Sequence, residues 1–452
     1  MGLAIAELLE QRQLLTAAPV SFSDTDGDQV TIRLSGAGTL SMDPDTRNVA
    51  TAGTTVNSAL SISVRRAAGG DGRVTLGELR CYGPMRSLNG PNADITKEIS
   101  IDDLMQPVSK SSKVSLNLGV LHGLAVYTGG QHVGTIRLAD WSRVDNGQEL
   151  NAPTVDALII TGRKDIPGTS ADESLPGNCG AILILGDSST TAGDWSIRTI
   201  SVAGTLNDVQ ATGRVGSITA GQIDGQLIAS SFGTVATHAL GSSSFATGTI
   251  TGSITATGAA GISTSLNSIW AASDVTNLAI ATGEGDIGQI TVGGQLLNSS
   301  ITSAGNIRGI DLLQGLFASR IQSQGNIGHI RVSSLSQSAI QVGVAPDFDG
   351  IATNSSDFVN PSARIANFSI VGAKGLPATD ALATAENTLC AAEAGVMNLR
   401  NVDSAAAMQI YVLGASSPTS VHYTDTIDRT AAFTWTRGQL QPDFLASMLH
   451  QL

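Results

Sequence analysis

Three segments decide how this chain is read: Asp286-Ile287-Gly288-Gln289-Ile290-Thr291-Val292, Asn306-Ile307-Arg308-Gly309-Ile310-Asp311-Leu312 and Asn326-Ile327-Gly328-His329-Ile330-Arg331-Val332. They align at a constant offset of 20 residues, and the phase continues past them: Leu296 matches Leu316, Ile301 matches Ile321, and Gly305 matches Gly325. A unit this short cannot bury its own apolar face, so a fixed period signals stacked repeats that bury it for one another. In extended chain, residues two apart share a face; Ile290 and Val292 point inward and Thr291 meets water. Leu296 and Ile301 supply the next inward wall. Gly305-Asn306 and Gly325-Asn326 read as corners where the backbone turns sharply, with positive φ at the glycine. The pattern predicts parallel strands about 4.8 Å apart.

Weaker copies of Ile-x-x-Ile-x-Val extend this phase. Upstream are Val133/Ile136/Leu138, Val155/Leu158/Ile160, Ile197/Ile200/Val202 and Val215/Ile218/Ala220; downstream are Ile365/Phe368/Ile370 and a poorer Val396/Leu399/Val402. Unequal spacing implies insertions, expected at Thr161 to Asn178, Gly241 to Ser268 and Val344 to Pro361. Ala378 to Ala394 follows Pro377 and is free of Gly, which suits one short helix. The fold expected is all-β: a parallel β-helix (β-solenoid) of roughly 20-residue coils over 72–403, which leaves room for up to about sixteen coils.

The ends differ. Val20 and Phe22, then Val30, Ile32 and Leu34, then Leu60, Ile62 and Val64 alternate with polar residues, and Asp26-Gly27 is a hairpin signal. Residues 19–71 therefore read as a small antiparallel β-unit, and 404–452, locally richer in rings and ending in a helical-looking Pro442-to-Leu452 tail, as a C-terminal cap. Residues 1–18 place apolar side chains at helical spacing but lack a basic n-region, so they read as a short amphipathic helix and not a standard signal peptide.

Composition narrows the function. Of 452 residues only 4% are aromatic and 14% charged, Gly reaches 51, and the net charge is −13. No run of Lys and Arg is present, which disfavours nucleic acid as a partner. No apolar stretch is long enough for a transmembrane segment. Cys81, Cys179 and Cys390 show no metal-ligand spacing and read as buried, inert thiols, with one disulfide and a spare thiol as the other option.

The segment Leu9-Glu10-Gln11-Arg12-Gln13-Leu14-Leu15 resembles the Leu-Glu-Pro-Arg-x-Leu-Leu N-terminal motif of large surface proteins of Planctomycetes and Verrucomicrobia-like bacteria, with Gln11 where that motif has Pro. Residues 20 to 400 are also similar to the β-strand-repeat proteins of those groups, in Phe22 to Ile32, in Ala67 to Val74 and in the Asn-Ile-Gly-x-Ile-x-Val coils. The resemblance implies that residues 1–18 are a sorting or export segment, as the alternative to a short helix, and that the location is extracellular or cell-surface; it says little about chemistry.

Few residues suggest a site. Asp24, Asp26 and Asp28 alternate around the Asp26-Gly27 turn; they read either as a solvated hairpin turn or as carboxylates converging on Ca2+. Asp71 to Leu79 copies the second half of an EF-hand loop but has Ala67 and Gly69 where the first and third ligands belong, so it reads as the turn into the first coil. Stacking places Asp311 between Thr291 and Arg331, a candidate surface ion pair, and leaves His329 without a partner in phase. Asp94, Glu98, Asp102 and Asp103 alternate with Ile95, Ile99 and Leu104 as on the solvated face of a helix.

With no nucleophile elbow, P-loop, dinucleotide fingerprint or HExxH, the expectation is a structural or adhesive scaffold that meets cell-envelope or extracellular polysaccharide or protein. The alternative is a carbohydrate-active enzyme, a polysaccharide lyase or glycoside hydrolase with a site in inserted loops. A third option is a fragment of a larger assembly. An enzyme needs carboxylates, or a carboxylate and a base, ~5–10 Å apart in a groove.

Overall fold

The computed structural model describes residues 17–101, 109, 111–123, 125–141, 148–165, 174–185, 191–238, 247–259, 261–352, 354–371, 387–402, 408–412, 420–425 and 437–439. The expected helices over 1–18 and 442–452 lie outside these, apart from the first segment's last two residues. The chain is all-β: among the described residues the one helix is a single 3-10 turn at Ser355–Asp357. Among the described residues no helix is long and apolar enough to cross a membrane. Two compact units divide it, Met1–Gly213 and Arg214–Leu452.

The first unit opens antiparallel. Strand β1 (Val20–Ser23) pairs with β2 (Gln29–Ser35), and β2 pairs with β5 (Ala59–Arg65); between them β3 (Thr39–Met42) and β4 (Val49–Ala52) form a second hairpin. Val30 lies opposite Val64, Ile32 opposite Ile62 and Leu34 opposite Leu60, as their alternation requires. From there the pairing becomes parallel. One ladder runs from β4 through Leu79–Tyr82, Ile99–Ile101, Ala125–Tyr127, Gln148–Asn151 and Ile182–Leu185 to Val209–Ala211. A second runs from β5 through Ser87–Gly90, Val114–Leu118, Val133–Leu138 and Val155–Ile160 to Trp195–Leu206. In it Val133, Val155 and Ile197 stack, as do Ile136, Leu158 and Ile200. Asp94 and Glu98 belong to this strand-and-corner pattern and not to a helix face, because Ala93–Ile95 pairs with Val74–Leu76 and Ile99–Ile101 joins the first ladder. Asp102 and Asp103 lie outside the described residues.

In the second unit the 20-residue phase becomes register. Ile290, Ile310 and Ile330 lie opposite one another on parallel strands, preceded in the same file by Ile218, Val235 and Ile269 and followed by Phe368 and Met397. All eight are at most 2% exposed, and burying one such side chain contributes about 1.5–3 kcal/mol. Leu296 stacks on Leu316, and Ile301 on Ile321.

The left-handed corners fall elsewhere than expected. Asn298, Ala318 and Gln337 take φ of 48°, 46° and 51°, whereas Gly305 and Gly325 are not at positive φ. Those glycines answer a close approach: a Cβ on Gly305 would lie 2.4 Å from Asp286 Oδ1 and 2.7 Å from Gly285 backbone. Behind each left-handed residue a buried serine receives an amide from the preceding rung: Ser299 N–H donates to Ser319 Oγ (3.0 Å) and Ser319 N–H to Ser338 Oγ (3.2 Å).

Three further expectations need correction. Gly241 to Ser268 is not one loop, since Ile250–Ala256 and the start of Thr264–Ala271 are strands; their small residues hide an ordinary inward alternation. The described part of the expected Ala378-to-Ala394 helix is strand, Asn387–Ala391 and the start of Glu393–Val402, because its buried face completes the ladder through Leu389. The copy placed at Val396/Leu399/Val402 is Ala394/Met397/Leu399, opposite Ile365, Phe368 and Ile370. Within 404–452, the described strands Met408–Val412, Ser420–Asp425 and Arg437–Gln439 extend the same ladders.

Candidate functional site

The acidic turn between β1 and β2 is built around a buried carboxylate. Asp24 N–H donates to the Asp28 carbonyl (3.0 Å), and Gly27 at φ 95° lets the turn close. One carboxylate oxygen from each of Asp24, Asp26 and Asp28 lies within 4.8 Å of the others. Asp28 is wholly buried; its Oδ1 accepts the Ala67 N–H (2.6 Å), and its Oδ2 accepts the Gly72 N–H. Asp26 Oδ2 accepts the Asp71 N–H at 2.9 Å. Burial and the hydrogen bond with Asp26 push the Asp24 carboxyl up to about 6. The bond from Asp24 and the Asp71 amide hold Asp26 below its usual range.

The cluster is therefore not simply a solvated turn: it clamps the segment 67–72 onto the hairpin. A Cβ on Gly70 would lie 1.9 Å from Asp28 Oδ1, so glycine is required there. Asp24, Asp26 and Asp28 are also the residues that could hold a hard cation, which seeks six to eight oxygens at ~2.3–2.6 Å. Asp71 and Glu78 do not share a site. Asp71 Oδ1 closes its own turn on the Arg73 N–H (2.8 Å), and Glu78 pairs with Arg80.

A groove on the first ladder of the same unit gathers groups that sequence reading left apart. Register places Arg80, Ser100, Tyr127 and Asn151 in one file. Arg80 contacts Glu78 Oε1 at 2.5 Å and Glu98 Oε1 at 3.4 Å, and the Tyr127 hydroxyl donates to Glu149 Oε2 at 3.0 Å. Arg80, Glu98, Ser100 and Tyr127 line a cavity of about 310 Å³. Burial and the Glu149 carboxylate raise the Tyr127 hydroxyl above its ordinary value, so it stays a neutral phenol. Each glutamate thus already has a donor. The missed signal was arithmetic: Glu78 and Glu98 are separated by the same 20 residues as the repeated segments.

On the second unit the outward file is similarly self-satisfied. Gly309 leaves room over which Gln289 and His329 lean, and both reach Asp311: Gln289 Nε2 donates to Oδ2 at 2.9 Å, and His329 Nε2 lies 3.4 Å from it. His329 therefore has a partner, and Asp311 bonds to it and to Gln289, although Arg331 lies opposite Asp311 in register. At the expected loop after Val342, Arg320 Nη2 and Gln322 Nε2 donate to the Phe348 carbonyl (2.7 and 2.6 Å), and Gln341 Nε2 to that of Gly350 (2.8 Å). The loop is strapped to the strands beneath it.

Cys81, Cys179 and Cys390 are free and buried; no bridge forms among them. Burial pushes the Cys81 and Cys390 thiols up to about 11 and about 12, and raises Cys179 further, which makes them poor nucleophiles. No family model, curated protein or solved structure matches the chain.

Proposed function

We propose that each unit is a parallel β-helix and that the chain serves as an extracellular or cell-surface structural and adhesive scaffold. The observation that carries this is how outward polar side chains are used: they tie one rung to the next. Asp286 Oδ1 accepts the Asn306 N–H (2.7 Å), Asn306 Oδ1 the Asn326 N–H (2.8 Å), and Asn326 Oδ1 the Arg364 N–H (2.9 Å). Such ladders stiffen a stack and leave these polar groups no catalytic task. The location rests on the N-terminal resemblance, and the partner class on a surface scaffold's need to meet envelope or extracellular polysaccharide. Calcium at Asp24, Asp26 and Asp28 would brace the N-terminal hairpin.

A carbohydrate-active enzyme is the second reading, favoured by Glu98, Arg80 and Tyr127 around one groove, with Glu78 paired to Arg80. Against it, the glutamates are all hydrogen-bonded and Tyr127 is held protonated, so no general base is poised there. The deciding experiment incubates the full chain with envelope fractions and a polysaccharide panel. It measures retention on the solid alongside release of reducing ends and unsaturated sugars. Retention without release supports the scaffold; release abolished by Glu98→Gln establishes the enzyme.

A further inference from the structure

Four arginines from three separate stretches of sequence line one cavity of about 490 Å³ in the first unit: Arg66, Arg73, Arg137 and Arg163. The volume falls within the ~300–1,000 Å³ of ligand pockets. This concentration stands out in a chain of net charge −13. Two carboxylates oppose it. Asp71, on the cavity wall, accepts the Arg73 N–H, and Asp94 takes Arg163 Nη1 at 3.1 Å and the Val120 N–H at 2.7 Å.

Arg66 and Arg163 are held in place by protein groups, and Arg163 and Arg137 keep donors unused among the described residues. Arg66 Nε donates to the Gly70 carbonyl at 2.6 Å, in the segment clamped by Asp28. Arg163 Nε is buried and has no hydrogen-bond partner among the described residues. Arg137 is exposed and makes no ion pair among the described residues. Converging like charges repel, and a planar fork of donors is the group best matched to a carboxylate or sulfate.

We propose that this cavity is a subsite for the carboxylate or sulfate group of an acidic polysaccharide, an assignment that rests on the adhesive reading above. The other polar groups suit a sugar. Asn92 and Asn117 line the cavity, and Asn117 Nδ2 donates to Asn89 Oδ1 (2.8 Å), so amides stand beside the charge to meet hydroxyls. Among its described lining residues none is aromatic, which removes the stacking platform that single-stranded nucleic acid uses. A local basic patch on an acidic chain also fits a polymer with one charge per sugar better than one with densely packed phosphates.

The test is calorimetric titration of the full chain with an oligogalacturonate, a sulfated oligogalactan, a neutral oligogalactan and a single-stranded oligonucleotide. Binding of either acidic sugar, weakened about ten- to a hundredfold in Arg137→Ala and unchanged in Arg308→Ala on the second unit, supports the subsite. The stronger of the two identifies carboxylate or sulfate. The Arg137 side chain has no hydrogen-bond or ion-pair partner among the described residues, and a matching thermal melt shows that the variant is folded. Preference for the neutral sugar or the oligonucleotide, or equal loss in both variants, overturns the proposal. If acidic sugars fail but envelopes retain the native chain, the subsite falls and the adhesive role stands; if nothing is retained, both fall.

Discussion

Replacing Asp28 by alanine should release the 67–72 segment. The native carboxylate is wholly buried and accepts two backbone amides, Ala67 N–H at 2.6 Å and Gly72 N–H. Truncation leaves both without an acceptor, and an unsatisfied buried donor costs about 1–3 kcal/mol, so the local loss is about 2–6 kcal/mol. Asp28→Asn keeps one carbonyl oxygen and should lose about half as much. Native-state hydrogen exchange at Ala67 and Gly72 reads this directly, because every 1.4 kcal/mol is about tenfold in protection. Protection at both amides should fall at least roughly 30-fold in Asp28→Ala, while amides in Ile307–Leu312 stay unchanged. Acid-sugar binding should weaken as well, since Arg66 and Arg73 flank the released segment. Unaltered protection at both amides would show that the clamp does not hold the segment, and the account of the acidic turn would be wrong.

Other substitutions probe the parallel ladders. Ala318 sits at φ 46°, where a Cβ costs roughly 1–2 kcal/mol; Ala318→Gly removes this but adds ~0.5–1 kcal/mol of chain entropy, so urea denaturation should show a gain of up to about 1.5 kcal/mol. A Cβ at Gly328 would lie 2.3 Å from the Arg308 carbonyl, backbone that cannot step aside, whereas one at Gly309 meets only the side-chain ends of His329 and Gln289. Gly328→Ala should therefore cost about 1–3 kcal/mol and Gly309→Ala markedly less; the reverse order in thermal melts would contradict the register. Folded Asp24 titrates near 6 against an ordinary 3.8, so it binds its proton more tightly than in the unfolded chain. Its contribution to stability is complete below about pH 4 and disappears as pH rises through about 6. Carboxyl NMR should place the midpoint there, lower in Asp26→Asn and lower again on adding calcium if the three aspartates bind it.

Much of the architecture was legible because a parallel ladder copies sequence phase into space. Once Ile290, Ile310 and Ile330 repeat at 20 residues, stacking them is the way each buries its face, and the alternation of Val30, Ile32 and Leu34 did the same for the antiparallel start. Where inward positions held Ala or Met, as at Ala394 and Met397, the pattern faded and the copy was placed two residues late. Short Thr- and Ser-rich strands such as Ile250–Ala256 looked like loops for the same reason.

The candidate sites divide differently. Asp24, Asp26 and Asp28 were visible because they are neighbours in the chain, but the amides that Asp28 accepts come from residues some forty positions on. Arg66, Arg73, Arg137 and Arg163 gave no signal as a set, nor did Tyr127 with Glu149, and Glu78 and Glu98 were marked only by their 20-residue spacing. The sequence by itself determined that this is a β-chain whose parallel strands follow a repeating aliphatic phase, since hydrophobic periodicity is a local property of the chain. Tertiary structure alone decided which polar side chains meet, since that depends on insertion lengths and on the register of strands brought together from distant positions.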